Sequence, residues 1–243
     1  MTKFELSYKK YNENAILIEW PSEISEAILI DINNYISTLE KSSELEIINI
    51  IQSYQAVLVQ FKESSNLDSK ISKLKSYYGP TSIHLDTVQK LWEVPVCYNT
   101  DLGLDLNELA SQKEISEEKI IQLHTQNIYT VYFIGFLPGF MYLGGLDEKL
   151  HTPRKNTPRL KIPKGSVAIG GTQTGVYPQE SPGGWNIIGQ TPIDFFDPNK
   201  SKPCFISSGD HVKFKSISLE EFETLKTLVH KNAIKPEILL LDA

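Results

Sequence analysis

The sequence predicts two structural parts: a small α+β sandwich over residues 1–85, then a mainly β domain over residues 86–243. Two observations carry this reading. Before residue 85 the apolar residues follow the order strand, strand, helix, strand, strand, helix. Beyond it the texture becomes turn-rich: 12 of the 14 glycines and nine of the 13 prolines lie between Gly135 and Gly209. A chain of 243 residues can fill one large domain or two small ones, each with its own core.

Each element has a local reason. Phe4–Tyr8 and Ala15–Trp20 read as strands across a polar Asn12-Glu13-Asn14 turn. Pro21-Ser22-Glu23 opens a helix with Ile24, Ile28, Ile32, Tyr35, Ile36 and Leu39 at helical spacing. Leu45–Ile51 and Ala56–Phe61 form a second strand pair. Leu67, Ile71, Leu74 and Tyr78 then mark a second helix, stopped by Gly79-Pro80. This order lays both helices on one face of an antiparallel sheet. The break between the parts falls at 80–88.

After the break, Leu91–Tyr98 reads as a strand. Two short helices follow, Leu106–Lys113 and Ser116–Gln126, each opened by an Asp or Ser able to cap it. Short runs such as Ser166–Ile169 and Trp185–Ile188, separated by turn residues, indicate a β-barrel or sandwich. Ser218–Leu228 is a closing helix, and Glu237–Leu241 a last strand.

Composition bounds the function. Apolar content of 40% and charged content of 22% suit a soluble globular chain. No apolar run approaches the ~20 residues of a membrane helix, and MTKFELSYKK has no secretory apolar region. A cytoplasmic protein with no membrane partner is the expectation. Cys97 and Cys204 form neither a disulfide framework nor a CxxC pair. The net charge of −6 argues against a nucleic-acid partner. Residues 128–215 nevertheless hold ten basic and six acidic residues, a balance of +4. That asymmetry fits an anionic small molecule in the second half and a docking surface in the first, and equally fits solvated surface charge.

TPRKNTPR, residues 152–159, contains the chain's only two arginines, Arg154 and Arg159, among 24 basic residues. A guanidinium binds carboxylate or phosphate through a planar fork that lysine lacks. Each preceding proline fixes φ and biases the threonine before it toward extended backbone. With Lys155, Lys161 and Lys164 nearby, the segment is a candidate anion site, weighed evenly against two surface arginines in a loop. GFLPGFMYLGGL, from Gly135, is too glycine-rich for a regular helix; its aromatics could line a pocket, or Phe136, Phe140 and Tyr142 could pack a turn-rich barrel corner. In GGTQTGVYPQESPGGWNIIG, residues 170–189, Thr172, Gln173, Thr174, Tyr177 and Trp185 could read a planar amide.

Other signals are weak. Neither a P-loop nor a GxGxxG fingerprint is present. His84, His124, His151, His211 and His230 are scattered, so no metal site is expected. Ser181 and Ser208 lack a GxSxG elbow. Asp210 with His211 could be an acid and a base, and Asp194 with Asp197 a carboxylate pair, but each also reads as a turn.

The long motifs GFLPGFMYLGGLD, TPRKNTPRLKIPKGSVAIGGTQTGVYPQESPGGWNIIGQTP and SSGDHVKF strongly resemble the PxpB family, the B component of 5-oxoprolinase. That family was earlier labelled allophanate hydrolase subunit 1 and includes the kinase inhibitor KipI. The resemblance is dense over roughly 135–215. It implies a cyclophilin-like β-barrel for residues 86–243, similar to part of a carboxyltransferase. It also implies a non-autonomous, hetero-oligomeric hydrolase component that helps open 5-oxo-L-proline to L-glutamate with subunits C and A. ATP would be shared with or bound by those partners. Arg154 and Arg159 would then hold the anion of a small lactam or amide. Gln173, Thr174 and Tyr177 would contact its amide edge, with Phe136, Phe140 and Trp185 as walls. Gln190 departs from the family, where a basic residue is frequent. A KipI-like inhibitor of a sensor histidine kinase is the alternative, and a cyclophilin-like prolyl isomerase a weaker one.

Overall fold

The computed structural model describes residues 4–63, 66–79, 89–231, 233–234 and 239–241. The chain divides into two compact units, residues 1–88 and 89–243. The break expected at 80–88 and His84 lie outside the described residues.

The first unit holds β1 (Ser7–Asn12), β2 (Ala15–Glu19), α1 (Glu26–Glu40), β3 (Ile47–Gln52), β4 (Ala56–Phe61) and α2 (Leu67–Tyr77). Its antiparallel sheet has the order β1-β2-β4-β3. Ile16 and Ile18 face Val59 and Val57 across the ladder. With Phe61 they pack against Ile28, Ile32, Tyr35 and Leu39 of α1 and Leu74 of α2, so both helices cover the same sheet face. Helix α1 starts later than Pro21 suggests because the Ser25 side chain accepts the Ile28 N–H and fixes the cap there, leaving Ile24 exposed. Strand β1 begins at Ser7 rather than Phe4, where the ladder with Glu19 starts.

The second unit contains β5 (Leu91–Val96), α3 (Leu106–Lys113), α4 (Glu117–Gln126), β6 (Ile128–Ile134) and β7 (Met141–Gly144). There follow β8 (Arg159–Ile162), β9 (Ser166–Gly170), β10 (Gln173–Val176), β11 (Ser181–Gly183), β12 (Asn186–Gln190), β13 (His211–Ser216), α5 (Leu219–His230) and β14 (Leu240–Leu241). Eight strands form one sheet in the order β12-β9-β10-β7-β6-β13-β5-β14, and β8 pairs with β11 separately. The order leaves β12 and β14 as edges, so the ladder does not run as a continuous closed barrel. Strand β14 takes the free edge of β5 at Trp92 and Leu91. Cys97, just past β5, reaches β12 through an isolated bridge to Gln190 with N···O distances of 2.8 and 2.9 Å.

Val167, Ile169 and Val176 alternate inward with Val131, Met141, Leu143 and Val212, and helices α3 and α4 add Leu106, Leu109, Ile120 and Leu123 to the same core. The opposite face of β9 and β10 carries a smaller, aromatic cluster. The period-2 pleat separates the two.

Candidate functional site

GFLPGF makes the turn between β6 and β7. Gly135 donates to the Phe140 carbonyl at 3.1 Å, and Phe140 donates to Leu137 at 3.0 Å. Gly139 turns at φ +84, and a Cβ there would meet Phe196 Cβ at 2.7 Å, so only glycine fits. Phe136 also has positive φ, +66, and is 64% exposed. An exposed aromatic held in that backbone region is locally strained.

Phe140, at the end of this turn, is buried. Its ring lies 4.9 Å from Tyr142, 5.1 Å from Tyr177 and 5.5 Å from Trp185, centroid to centroid, and Phe136 meets it edge-on at 5.7 Å. Trp185 lies where Gly170 has no side chain; a Cβ at Gly170 would be 2.5 Å from the indole. The glycines of GGTQTG therefore make room for an aromatic platform.

The TPRKNTPR loop runs alongside. Thr152 exchanges backbone hydrogen bonds with Gly171, at 2.9 and 2.6 Å. Lys155 N–H donates to Gly184 O at 2.7 Å, and the Asn186 amide donates to Pro153 O at 3.0 Å. Thus pinned, Arg154 places its guanidinium carbon 5.7 Å from the Trp185 ring centre, a cation–π contact. Arg154 is exposed and makes no ion pair among the described residues. Its charge pulls the Tyr142 and Tyr177 phenols down, while burial, the larger effect, leaves both raised.

Arg159 goes elsewhere. Its two terminal nitrogens donate to Asp105 at 2.7 and 2.6 Å, the bidentate fork expected for a ligand carboxylate but filled from within. Lys155 Nζ adds 2.9 Å to Asp105 and 2.8 Å to Glu108, and the Ile187 N–H donates to Asp105 at 2.7 Å. Burial pushes the Asp105 carboxyl up, but Arg159, Lys155 and the Ile187 N–H together hold it below the usual value. Asp105 therefore does not cap α3 with its side chain, whereas Ser116 does cap α4. The capping role expected of both is correct for one.

The structure brings Phe136, Phe140, Tyr177, Trp185 and Arg154 together. Thr174 does not join them. Strand alternation turns it into the core, where its hydroxyl donates to Ala168 O at 3.0 Å and meets His124 Nε2 at 2.9 Å. Gln173 is half-buried at the start of β10, opposite Gly170. Lys164 pairs with Asp194 at 2.7 Å, Lys161 faces Glu180 at 3.4 Å, and Gln190 donates to Lys164 O at 2.5 Å. Asp210 accepts the Trp92 indole N–H at 2.9 Å and the Ser207 N–H at 2.9 Å, which makes it a turn former. Asp197 likewise organises its turn through Asn199. Ser208 donates to Tyr132 O, and the Ser181 hydroxyl is buried without a hydrogen-bond partner among the described residues. No three metal-binding side chains cluster among the described residues. A cavity of about 460 Å³, lined in part by Glu93, Ile193, Lys215, Leu225 and Leu239, contains none of the expected site residues.

Tyr142 packs on Phe140, in the corner where the sequence placed it. Asp105 is the residue that sequence reasoning missed: it lies 54 residues from Arg159 and carried no signal beyond a helix cap.

Comparison with known proteins now adds to this geometry. The family described as carboxyltransferase domain, subdomain C and D, matches residues 6–206. The B component of 5-oxoprolinase from Escherichia coli O157:H7 is 44% identical over 158 residues, covering 65% of this chain and 72% of that protein. The chain belongs to the 5-oxoprolinase B-component family, PxpB. The Haemophilus influenzae member is 54% identical over 122 residues, 50% of this chain and 57% of that protein. That of Bacillus subtilis is 46% identical over 138 residues, 57% and 58%. The matches thus span little more than half the length of these two family members. A conserved uncharacterized protein of Pyrococcus horikoshii superposes at TM-score 0.53 and 39% identity, over 89% of this chain and all of that one. The Kluyveromyces lactis urea carboxylase superposes at TM-score 0.76 over 93% of this chain and 23% of that one; at 21% identity this likeness shows the fold alone.

Proposed function

We propose that this chain is the B component of an ATP-dependent 5-oxoprolinase, acting with subunits C and A to open 5-oxo-L-proline to L-glutamate. Arg154 on the Trp185 platform carries the reading. It is a guanidinium without an ion pair among the described residues, over an aromatic floor, in a family whose members bear this name. Its fork would take the lactam's carboxylate, and Trp185, Phe140 and Phe136 would cover the ring's apolar face. Tyr177 lies buried among them, and Gln173, beside Gly170, would meet the amide edge. Arg159 serves the site through Asp105 and not through the ligand.

Opening the lactam takes up one water, and hydrolysis of the coupled ATP to ADP and phosphate takes up a second. The cations around the site make no triphosphate cradle, because Lys155, Arg159 and Lys164 each face a carboxylate. ATP would be shared with or bound by the partner subunits. The second unit is read as a cyclophilin-like barrel, its eight-stranded sheet rolled until the Cys97–Gln190 bridge joins β5 to β12. Cytoplasmic residence accords with this reading; no helix among the described residues is long and apolar enough to cross a membrane. No observation favours inhibition of a sensor kinase.

The test is reconstitution with subunits C and A and an assay of ATP-dependent glutamate release. Activity should require this chain and weaken with Arg154→Lys. Full turnover without the chain would refute the assignment.

A further inference from the structure

We infer that Asp105 is the positioning residue that fixes Arg154 over Trp185. The inference rests on reading Arg154 as the ligand's cation, and it explains why a carboxylate occupies a site that binds anions.

The side chain of Asp105 is 2% exposed and joins three segments. Its backbone N–H donates to Ile187 O at 2.8 Å, and its carboxylate accepts the Ile187 N–H, which clamps the start of α3 to β12. The same carboxylate takes Lys155 and Arg159, which bracket the second half of the TPRKNTPR loop. Arg154 directly precedes Lys155. With Lys155 drawn to Asp105 and its N–H held by Gly184 O, the backbone next to Arg154 is anchored from both side chain and main chain, and the Arg154 guanidinium lies over Trp185.

Charge supports the same role. Lys155 and Arg159 face Asp105 and Glu108, two cations against two carboxylates, so the group is neutral. Arg154 is then the loop's one cation without a carboxylate partner among the described residues. Without Asp105, Lys155 and Arg159 would be released to compete for the ligand, and the loop would lose its anchor. A small displacement of a binding group costs far more than its size implies.

The experiment reads the Trp185 environment directly, with neither substrate nor partner. The emission difference between each protein and its Trp185→Phe counterpart isolates this indole from Trp20 and Trp92. Asp105→Asn keeps the size of the side chain and an acceptor for Ile187 N–H while removing the charge. It should shift the Trp185 difference spectrum as Arg154→Ala does, and adding it to Arg154→Ala should change nothing further. Lys155→Gln, which leaves the Arg159 fork in place, should give a smaller shift of the same sign, and covers the case that Asp105→Asn fails to fold. In the reconstituted complex, Asp105→Asn should raise KM on the order of tenfold with kcat retained. An unchanged Trp185 spectrum in folded Asp105→Asn or in Lys155→Gln overturns the inference. Normal turnover by Arg154→Ala would instead remove the ligand reading, and the spectra would still decide the positioning.

Discussion

His124 and Thr174 share a 2.9 Å hydrogen bond in the core of the second unit. The Thr174 hydroxyl gives its own proton to Ala168 O, so His124 Nε2 carries the hydrogen. Nδ1 then accepts the Tyr98 hydroxyl at 2.7 Å. The ring also stacks on Phe214 at 4.6 Å. It is fully satisfied as a neutral imidazole, and burial lowers its pKa from 6.5 to about 3.

This neutral histidine should make the protein acid-labile. The unfolded chain binds the proton near pH 6.5 and the folded chain only near 3. The stabilisation is therefore complete above 6.5 and is lost as pH falls through that window. About 2 kcal/mol should disappear between pH 7 and pH 5. Urea unfolding at both values should show it, and His124→Gln should flatten the slope. The Asp105 carboxyl, held below its usual value, stabilises the fold at both of these pH values, and its contribution is lost only as the pH falls below the ordinary carboxylate range. Equal slopes in the two proteins would exclude His124 as the group.

The two arginines should separate cleanly. Arg154→Lys should leave the melting temperature unchanged while weakening lactam binding roughly ten- to hundredfold, the loss of a charge-assisted contact. Arg159→Lys should instead lower stability, because one ammonium cannot fill both Asp105 oxygens. Thermal melts paired with KM measurements distinguish them; the same phenotype in both would contradict the division of roles.

Asp105→Ala should cost about 2–4 kcal/mol, since it strands Arg159 and leaves the Ile187 N–H unpaired. The value sits toward the low end because Arg159 is 31% exposed and partly screened. Denaturant midpoints at constant slope measure it.

Gly170→Ala tests the aromatic platform. The new methyl would sit 2.5 Å from the indole, so Trp185 must move. A loss of about 1–3 kcal/mol and an altered Trp185 emission are expected. A variant with native stability and spectrum would show that the indole does not depend on that gap.

Much of the architecture is legible along the chain because its causes are local. Ala56–Phe61 and Leu106–Lys113 fall where periodicity puts them, since strand and helix patterns repeat within a few residues. Both glycine-rich motifs mark the region where the aromatic cluster forms. Asp105 shows where local reasoning stops. Before a helix, an aspartate satisfies capping rules, and only the fold brings Arg159 to it. Thr174 is the converse: its neighbours suggested a ligand contact, and the pleat sends it inward to His124.

From sequence alone came the two-part α+β and β-rich order, the family, and the segment holding both guanidinium groups. Tertiary structure decided which of the two is spent: Arg159 on Asp105, with Arg154 left over Trp185. The reason is that a residue type fixes which partners are chemically possible, while the partner actually reached depends on contacts between segments many residues apart.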